Sequence, residues 1–426
     1  MNKRENGPAL GWGRRIVATK KVVVALTLIL AASSLAACST STSSSNSAQA
    51  ATPEAAQASA IASIVQNAMK TDHLRAVIVK VTQGSKLVTT RAFGASMNGV
   101  PATSAMHFRN GAVAFAYMST LLMEFVDEHK VSLNDTIDRW MPTLPEAKTV
   151  TLKMLANQTT GYPDYETDPA WLAAFNADPF HIWTFKERLK YAFSRPVQFA
   201  PGTNWSYSHT NFMILGEILS MIGGKPLDTL LRQKVLNPMG LTNTTSTHTA
   251  AIPSPVLHSF SSERRVALGI PPTGSFYEEA TFWNTQWGTP IGANETTNID
   301  DMAKTAVEVG TGALLSKSSY KAMTAPNLLG FGHKEAGCAC FKQIDAYNFG
   351  LGVVRSGSWL LQNPLLSGEG ATEAYLPSQK IAITVVVTFA PGAFDSQGNY
   401  TNSSDTLFRS IGAYMAPNDR PPSVKS

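Results

Sequence analysis

Apolar residues recur at helical spacing between Ala51 and Lys70 (Ala58, Ile61, Ile64, Val65, Met69), which predicts an amphipathic helix. Leu74 to Thr82 then reads LRAVIVKVT, dense in β-branched residues. A turn-like Gln83-Gly84-Ser85-Lys86 and a returning LVTTRAFGA complete a predicted β-hairpin. Tyr117 to His129 reads as a helix, with Tyr117, Leu121, Leu122, Phe125 and Val126 on one face. Further on, Asn348 to Val354 and Ile381 to Thr388 (IAITVVVT) read as strands, and Ser404 to Met415 as a closing helix. The middle is helical and loop-rich, with Pro and Gly scattered through 250–295. Helices at both ends of an antiparallel sheet, with a mainly helical insertion between them, predict an α+β fold. No internal repeat interrupts this order.

The N-terminus follows a different pattern. Lys3, Arg4, Arg14, Arg15, Lys20 and Lys21 precede an uncharged run, Val22 to Ala32, which is short for a bilayer span but suits the core of an export signal. Leu35-Ala36-Ala37-Cys38 closes the segment and resembles a bacterial lipobox, which implies acyl chains on Cys38 and a domain held outside the cell membrane. Arg14-Arg15 alone does not choose between the general and twin-arginine export routes. The predicted organisation is a signal peptide over 1–37, a Ser/Thr-rich tether over 38–54, one folded domain over 55–416 and a tail over 417–426.

Composition narrows the possibilities. The 426 residues are 44% hydrophobic and 15% charged, enough apolar material for a large core and unlike disordered, collagenous or coiled-coil chains. The net charge of +5 would invite a nucleic-acid partner. Residues 1–37, however, hold six basic groups and one acid, so from Cys38 onward 29 positive groups face 29 negative ones. No nucleic acid is expected. Cys338 and Cys340 form a C-x-C pair suited to a small disulfide or to two free thiols. With only His333 nearby, they do not make up a metal site, and no cofactor is expected.

The stretch Phe108 to Pro142, FRNGAVAFAYMSTLLMEFVDEHKVSLNDTIDRWMP, resembles the nucleophile helix of the serine β-lactamase and penicillin-binding superfamily. Its nearest likeness is to the class C β-lactamase and D-Ala-D-Ala carboxypeptidase branch. VTLKMLANQTTGYPDY (Val150 to Tyr165), FAPGTNWSYSHTNFMILGEILSMIGG (Phe199 to Gly224), LNPMGLTNT, TFWNTQW and GALLS continue the likeness in unbroken order. It implies a serine hydrolase scaffold whose helix carries S-x-x-K, with the Ser attacking an acyl carbon and the Lys removing its proton.

In this sequence the Ser position is Ala112 and the Lys position is Phe115. A methyl group cannot attack, and a phenyl ring takes no proton. Ser318-Ser319-Tyr320-Lys321 fits the literal motif but lies in another segment. The family's Tyr-x-Asn appears as Tyr207-Ser208-His209. Without the helix lysine, Tyr207 is expected near the reference pKa of about 10 and is a poor base. His209 is either a base nearer neutrality or, the favoured reading, a hydrogen-bonding stand-in for Asn. The third motif, a Lys or His ahead of Gly, is sought in Leu366-Ser367-Gly368-Glu369-Gly370-Ala371, where the positive group is missing and Glu369 has arrived. Arg355 and Arg109 are candidates to compensate.

The expected function is therefore that of a lipid-anchored pseudoenzyme binding a partner or a ligand, peptidoglycan-related or another small molecule, in the former cleft. Ala112, Phe115, Tyr207, His209, Trp283 and Glu369 are its expected lining, with Trp287 beside them. Two alternatives stand. One is a diverged hydrolase using Ser367, Ser208 or Ser119 with His209 as base. The other is a structural lipoprotein acting through its surface.

Overall fold

The computed structural model describes residues 53–284 and 288–423. Helix α1 (Pro53–Thr71) leads into the hairpin of β1 (Leu74–Gln83) and β2 (Lys86–Met97), followed by the short β3 (Val100–Pro101). Strand β4 (His107–Arg109) runs directly into helix α2 (Val113–Asp127). This helix begins four residues before the span predicted from sequence. All but a few of its side chains are buried, so it is a core helix rather than an amphipathic surface one.

The insertion follows. It holds helices α3 (Leu152–Asn157), α4 (Pro169–Ala177), α5 (Phe185–Ala192), α6 (His209–Gly223) and α7 (Leu227–Leu231). Short strands β5 (Thr245–Ser246), β6 (Phe260–Ser261), β7 (Glu278–Glu279) and β8 (Glu295–Asn298) come next. Strand β8 sits between β4 and β5, and β6 pairs with β7. Helices α8 (Ile299–Thr311) and α9 (Lys317–Thr324) return the chain to the sheet.

The last part supplies β9 (Asn348–Phe349), β10 (Val354–Ser356), β11 (Trp359–Gln362), β12 (Leu365–Leu366), β13 (Glu369–Leu376), β14 (Ile381–Phe389) and helix α10 (Ser403–Met415). The main sheet is antiparallel in the order β3-β2-β1-β14-β13-β11-β10-β9, with β12 on β13. Chain ends thus meet at its centre, where β1 pairs with β14 along nearly its whole length. Helices cover both faces. On β13, the even positions meet α10, since Thr372 bonds Ser404 and Gly370 faces Asn402. The odd position Tyr375 packs on Ala306 of α8. The α+β architecture with helices flanking an antiparallel sheet is the one expected.

The predicted strand 348–354 is interrupted. Gly350 lies so close to the Met323 carbonyl that a Cβ would sit 2.4 Å from its oxygen, and Gly352 takes a positive φ of 65° against Ser119. Two glycines pressed on neighbouring backbone and side chain break the run into β9 and β10. Cys338 and Cys340 are joined in a disulfide, Cα atoms 5.1 Å apart.

Candidate functional site

The head of α2 is held by its neighbours. Arg109 pairs with Thr296 on β8, and the Asn110 N–H donates to the Glu295 carbonyl at 3.2 Å. Gly111 has a positive φ of 52°, and a Cβ there would meet the Pro364 ring at 2.7 Å and Leu366 at 3.4 Å. Ala112 follows as the N-cap, half-buried and without a side-chain cap. One turn on, the Phe115 ring is fully buried and lies flat on Phe212, centroids 3.9 Å apart and planes within 7°. Tyr207 and His209 each lie 6.3 Å from the Phe115 ring and 5.0 Å from one another.

The start of α6 is tied to the loop after α3. Gln158, in the left-handed conformation at the end of α3, accepts from the Ser208 N–H at 3.1 Å and from the Asn211 amide. Thr160 donates to Asn211 at 2.6 Å, and Thr210 donates to the Pro163 carbonyl at 2.6 Å. These bonds carry Asp164 and Glu166 to the His209 ring, where Nδ1 lies 2.9 Å from Asp164 Oδ2 and 3.1 Å from Glu166 Oε1. The fully buried Arg188 guanidinium lies near the Tyr165 ring and donates to the Thr289 carbonyl, and its charge partly offsets that of Glu166.

Electrostatics follow from burial. Desolvation pushes the Glu166 carboxyl well above the usual range, and Asp164 beside it pushes the same way. Burial likewise lifts the Tyr207 phenol well above 10, with Tyr347, Glu166 and Asp164 adding to the effect. The expectation of a Tyr207 near its reference value is corrected accordingly: the phenolate is even less accessible. The main cause is burial of the phenol, with Tyr347 and the acidic pair adding to it, beyond the missing lysine.

The other predicted residues gather at a second spot. Arg109, Trp283, Ser367 and Glu369, with Ser259 and Thr281, line a pocket of about 10 Å³, roughly the space of one water. Leu366 joins the two groups, since it lines this pocket and touches the open side of Gly111. Burial pushes Glu369 up to about 8, against the pull of Arg109, whose own pKa burial lowers to about 10. Trp283 is packed between Phe175 and the Arg264 guanidinium rather than open to the cleft. Gly368, at φ 73°, is pressed against the Phe260 backbone, and Gly370 lies inside β13 facing Asn402. Arg355 is bonded to the Gly357 carbonyl in its own hairpin.

The candidate serines are separated. The Ser208 and Ser119 hydroxyls are buried without a hydrogen-bond partner, Ser119 beneath Gly352. Ser367 instead lies beside the Glu263 carboxyl. Cys38 and Trp287 lie outside the described residues. Sequence reasoning named Phe115, Tyr207 and His209 but missed Phe212, Asp164, Glu166 and Arg188. The acidic pair stands in the quoted GYPDY stretch and the residue after it, where only a fold that returns α6 to that loop gives it meaning.

Comparison with known proteins places this geometry. The chain is 30% identical over 135 residues to the D-alanyl-D-alanine-carboxypeptidase/endopeptidase AmpH of Escherichia coli strain K12, covering 30% of this chain. The chain spans 34% of that relative's length. It superimposes on the D-amino acid amidase of Ochrobactrum anthropi SV3 with a TM-score of 0.69 at 20% identity, covering 85% of this chain and 99% of the amidase. A penicillin binding protein from Bacillus halodurans gives a TM-score of 0.62 at 16% identity, over 82% and 98% of the two chains. The sequence matches the family described as Beta-lactamase over residues 61–407. With most of its length inside that match, the chain belongs to the beta-lactamase family of serine hydrolase folds.

Proposed function

We propose that this chain is a pseudoenzyme of its family: an exported, Cys38-anchored envelope protein that binds a ligand in the former acyl-transfer cleft. The observation that carries this reading is the stacked pair of Phe115 and Phe212 one turn after Ala112. Where the resemblance expects an ammonium next to a nucleophile, the helix presents a methyl group and an aromatic ring. Among the described residues, burial and two acids oppose the Tyr207 phenolate and no cation counts in its favour. The Ser208 and Ser119 hydroxyls have no base bonded to them, and Ser367 lies beside Glu263 and not His209, so the diverged-hydrolase alternative with His209 as base is weakened. Binding is a separate matter from turnover. An alanine carries the same backbone N–H as a serine, so a site that polarises a carbonyl survives loss of the nucleophile. The relatives are named for D-alanyl peptides and D-amino acid amides, and a small peptidoglycan-related or amide ligand is the class proposed here.

The test is covalent labelling. Purified protein is expected to remain unlabelled by a fluorescent penicillin and a fluorophosphonate, and to leave a chromogenic cephalosporin and a p-nitrophenyl ester intact. Stoichiometric labelling would overturn the reading, and mass mapping would name the serine.

A further inference from the structure

We propose that Asp164, Glu166 and His209 form a binding site for a divalent transition-metal ion, with manganese(II) or a close neighbour in size and geometry as its occupant. The three residues come from two elements brought together by the cross-links around Gln158, Thr160 and Thr210. One ligand atom from each lies within 4.8 Å of the other two. This proposal is independent of whether the chain is catalytically inert.

With Glu166 ionised, hydrogen bonding alone leaves the cluster incomplete. The His209 Nδ1 faces two carboxylate oxygens, at 2.9 and 3.1 Å, but a ring nitrogen has a single in-plane direction and carries at most one proton. It satisfies Asp164. The Glu166 Oε1 is then buried without any hydrogen bond, an unfavourable state for a polar atom and more so for a charged one. A cation shared by the three atoms would complete all of them at once. The cluster is also preorganised. Asp164 Oδ1 accepts the Glu166 N–H, and the His209 ring is wedged between Tyr165, Tyr207 and Phe115. The side chains are 4%, 13% and 15% exposed for Asp164, Glu166 and His209, enclosed yet reachable.

The donor set and spacing select the ion. Imidazole with two carboxylates suits a first-row transition ion and disfavours magnesium and calcium, which prefer oxygen alone. The two separations from His209 Nδ1, 2.9 and 3.1 Å, correspond to about 90° at an ion with bonds of about 2.1 Å, the cis angle of an octahedral ion, whereas a tetrahedral ion would spread each pair further. Three protein ligands leave the remaining positions to water.

The experiment uses the full chain in detergent, stripped with EDTA and titrated with manganese(II) chloride under calorimetry and electron paramagnetic resonance. One equivalent is expected to bind with a raised melting temperature. His209→Gln and the isosteric Glu166→Gln should each weaken binding at least tenfold, while His333→Gln, at an exposed position elsewhere, should leave it unchanged. Absence of saturable binding to the folded wild-type chain would overturn the proposal. So would undiminished binding by folded Glu166→Gln, since Glu166 supplies the buried oxygen on which the site depends.

Discussion

A buried carboxyl such as Glu369 makes the stability of the fold depend on pH. Burial holds its pKa at about 8, while in the unfolded chain it titrates near 4.5. Between those values the folded chain keeps one proton that the unfolded chain has lost, so stability falls as pH rises, by at most about 1.4 kcal/mol per unit. Arg109 stays charged throughout this window because its lowered pKa is still about 10. Glu369→Gln is therefore expected to reduce the decline in stability from pH 5 to pH 8 relative to wild type. Urea midpoints at each pH measure it, and parallel pH profiles for the two proteins would refute it. The same residue shows what sequence could tell about the site. The arrival of an acid at 369 was legible, as were Phe115, Tyr207 and His209. That Glu369 would be enclosed with Arg109, and that Asp164 and Glu166 would close on His209, was not. Those contacts depend on residues 45 and 260 positions apart, which periodicity cannot relate.

Among the elements, the β1–β2 hairpin and the first and last helices were legible because each has a strong local period. Strands β11 and β13 were not, for two reasons. Both are buried on both faces, so alternation is absent, and β13 opens with Glu369-Gly370, which reads as a motif or a turn. The junction into β13 depends on Gly368. Its φ of 73° disfavours side chains, and a Cβ would stand 2.2 Å from the Phe260 carbonyl oxygen. Tyr400 closes the other side of this turn, accepting from the Gly368 N–H at 3.0 Å and donating to the Leu366 carbonyl. Gly368→Ala is expected to destabilise the protein by more than about 1 kcal/mol, the usual cost of a left-handed backbone position alone. Backbone has to move to relieve the contact, so a second effect should appear in hydrogen exchange. Amides of β6 and β12 should lose protection well before those of β1 and β14. Uniform protection across all four strands would show that the turn is not an independent lock.

At the scale of the molecule, the proposed lipid on Cys38 can be set against the other ways a chain attaches to a membrane. None of the described helices is long and apolar enough to cross a membrane. Charge does not supply an answer if residues 1–37 are removed as the proposed lipid signal implies, because 29 basic and 29 acidic groups then leave no formal excess to draw the domain to anionic lipid. A polybasic contact is worth about 1 kcal/mol per residue and is screened within roughly 3 Å at 1 M salt. Acyl chains act differently, since each buried methylene contributes about 0.8 kcal/mol irrespective of salt. The proposed lipid on Cys38 therefore predicts a particular fractionation. The full chain should sediment with membranes, stay there in about 1 M salt, and be released by detergent. Cys38→Ala should abolish metabolic labelling with a fatty acid and lose the salt-resistant, detergent-released membrane pool. Labelling that persists in the variant would place the acyl group elsewhere and remove the lipobox reading. Release of the wild-type chain by salt alone would mean that a local basic surface, hidden in a neutral total, does the work instead.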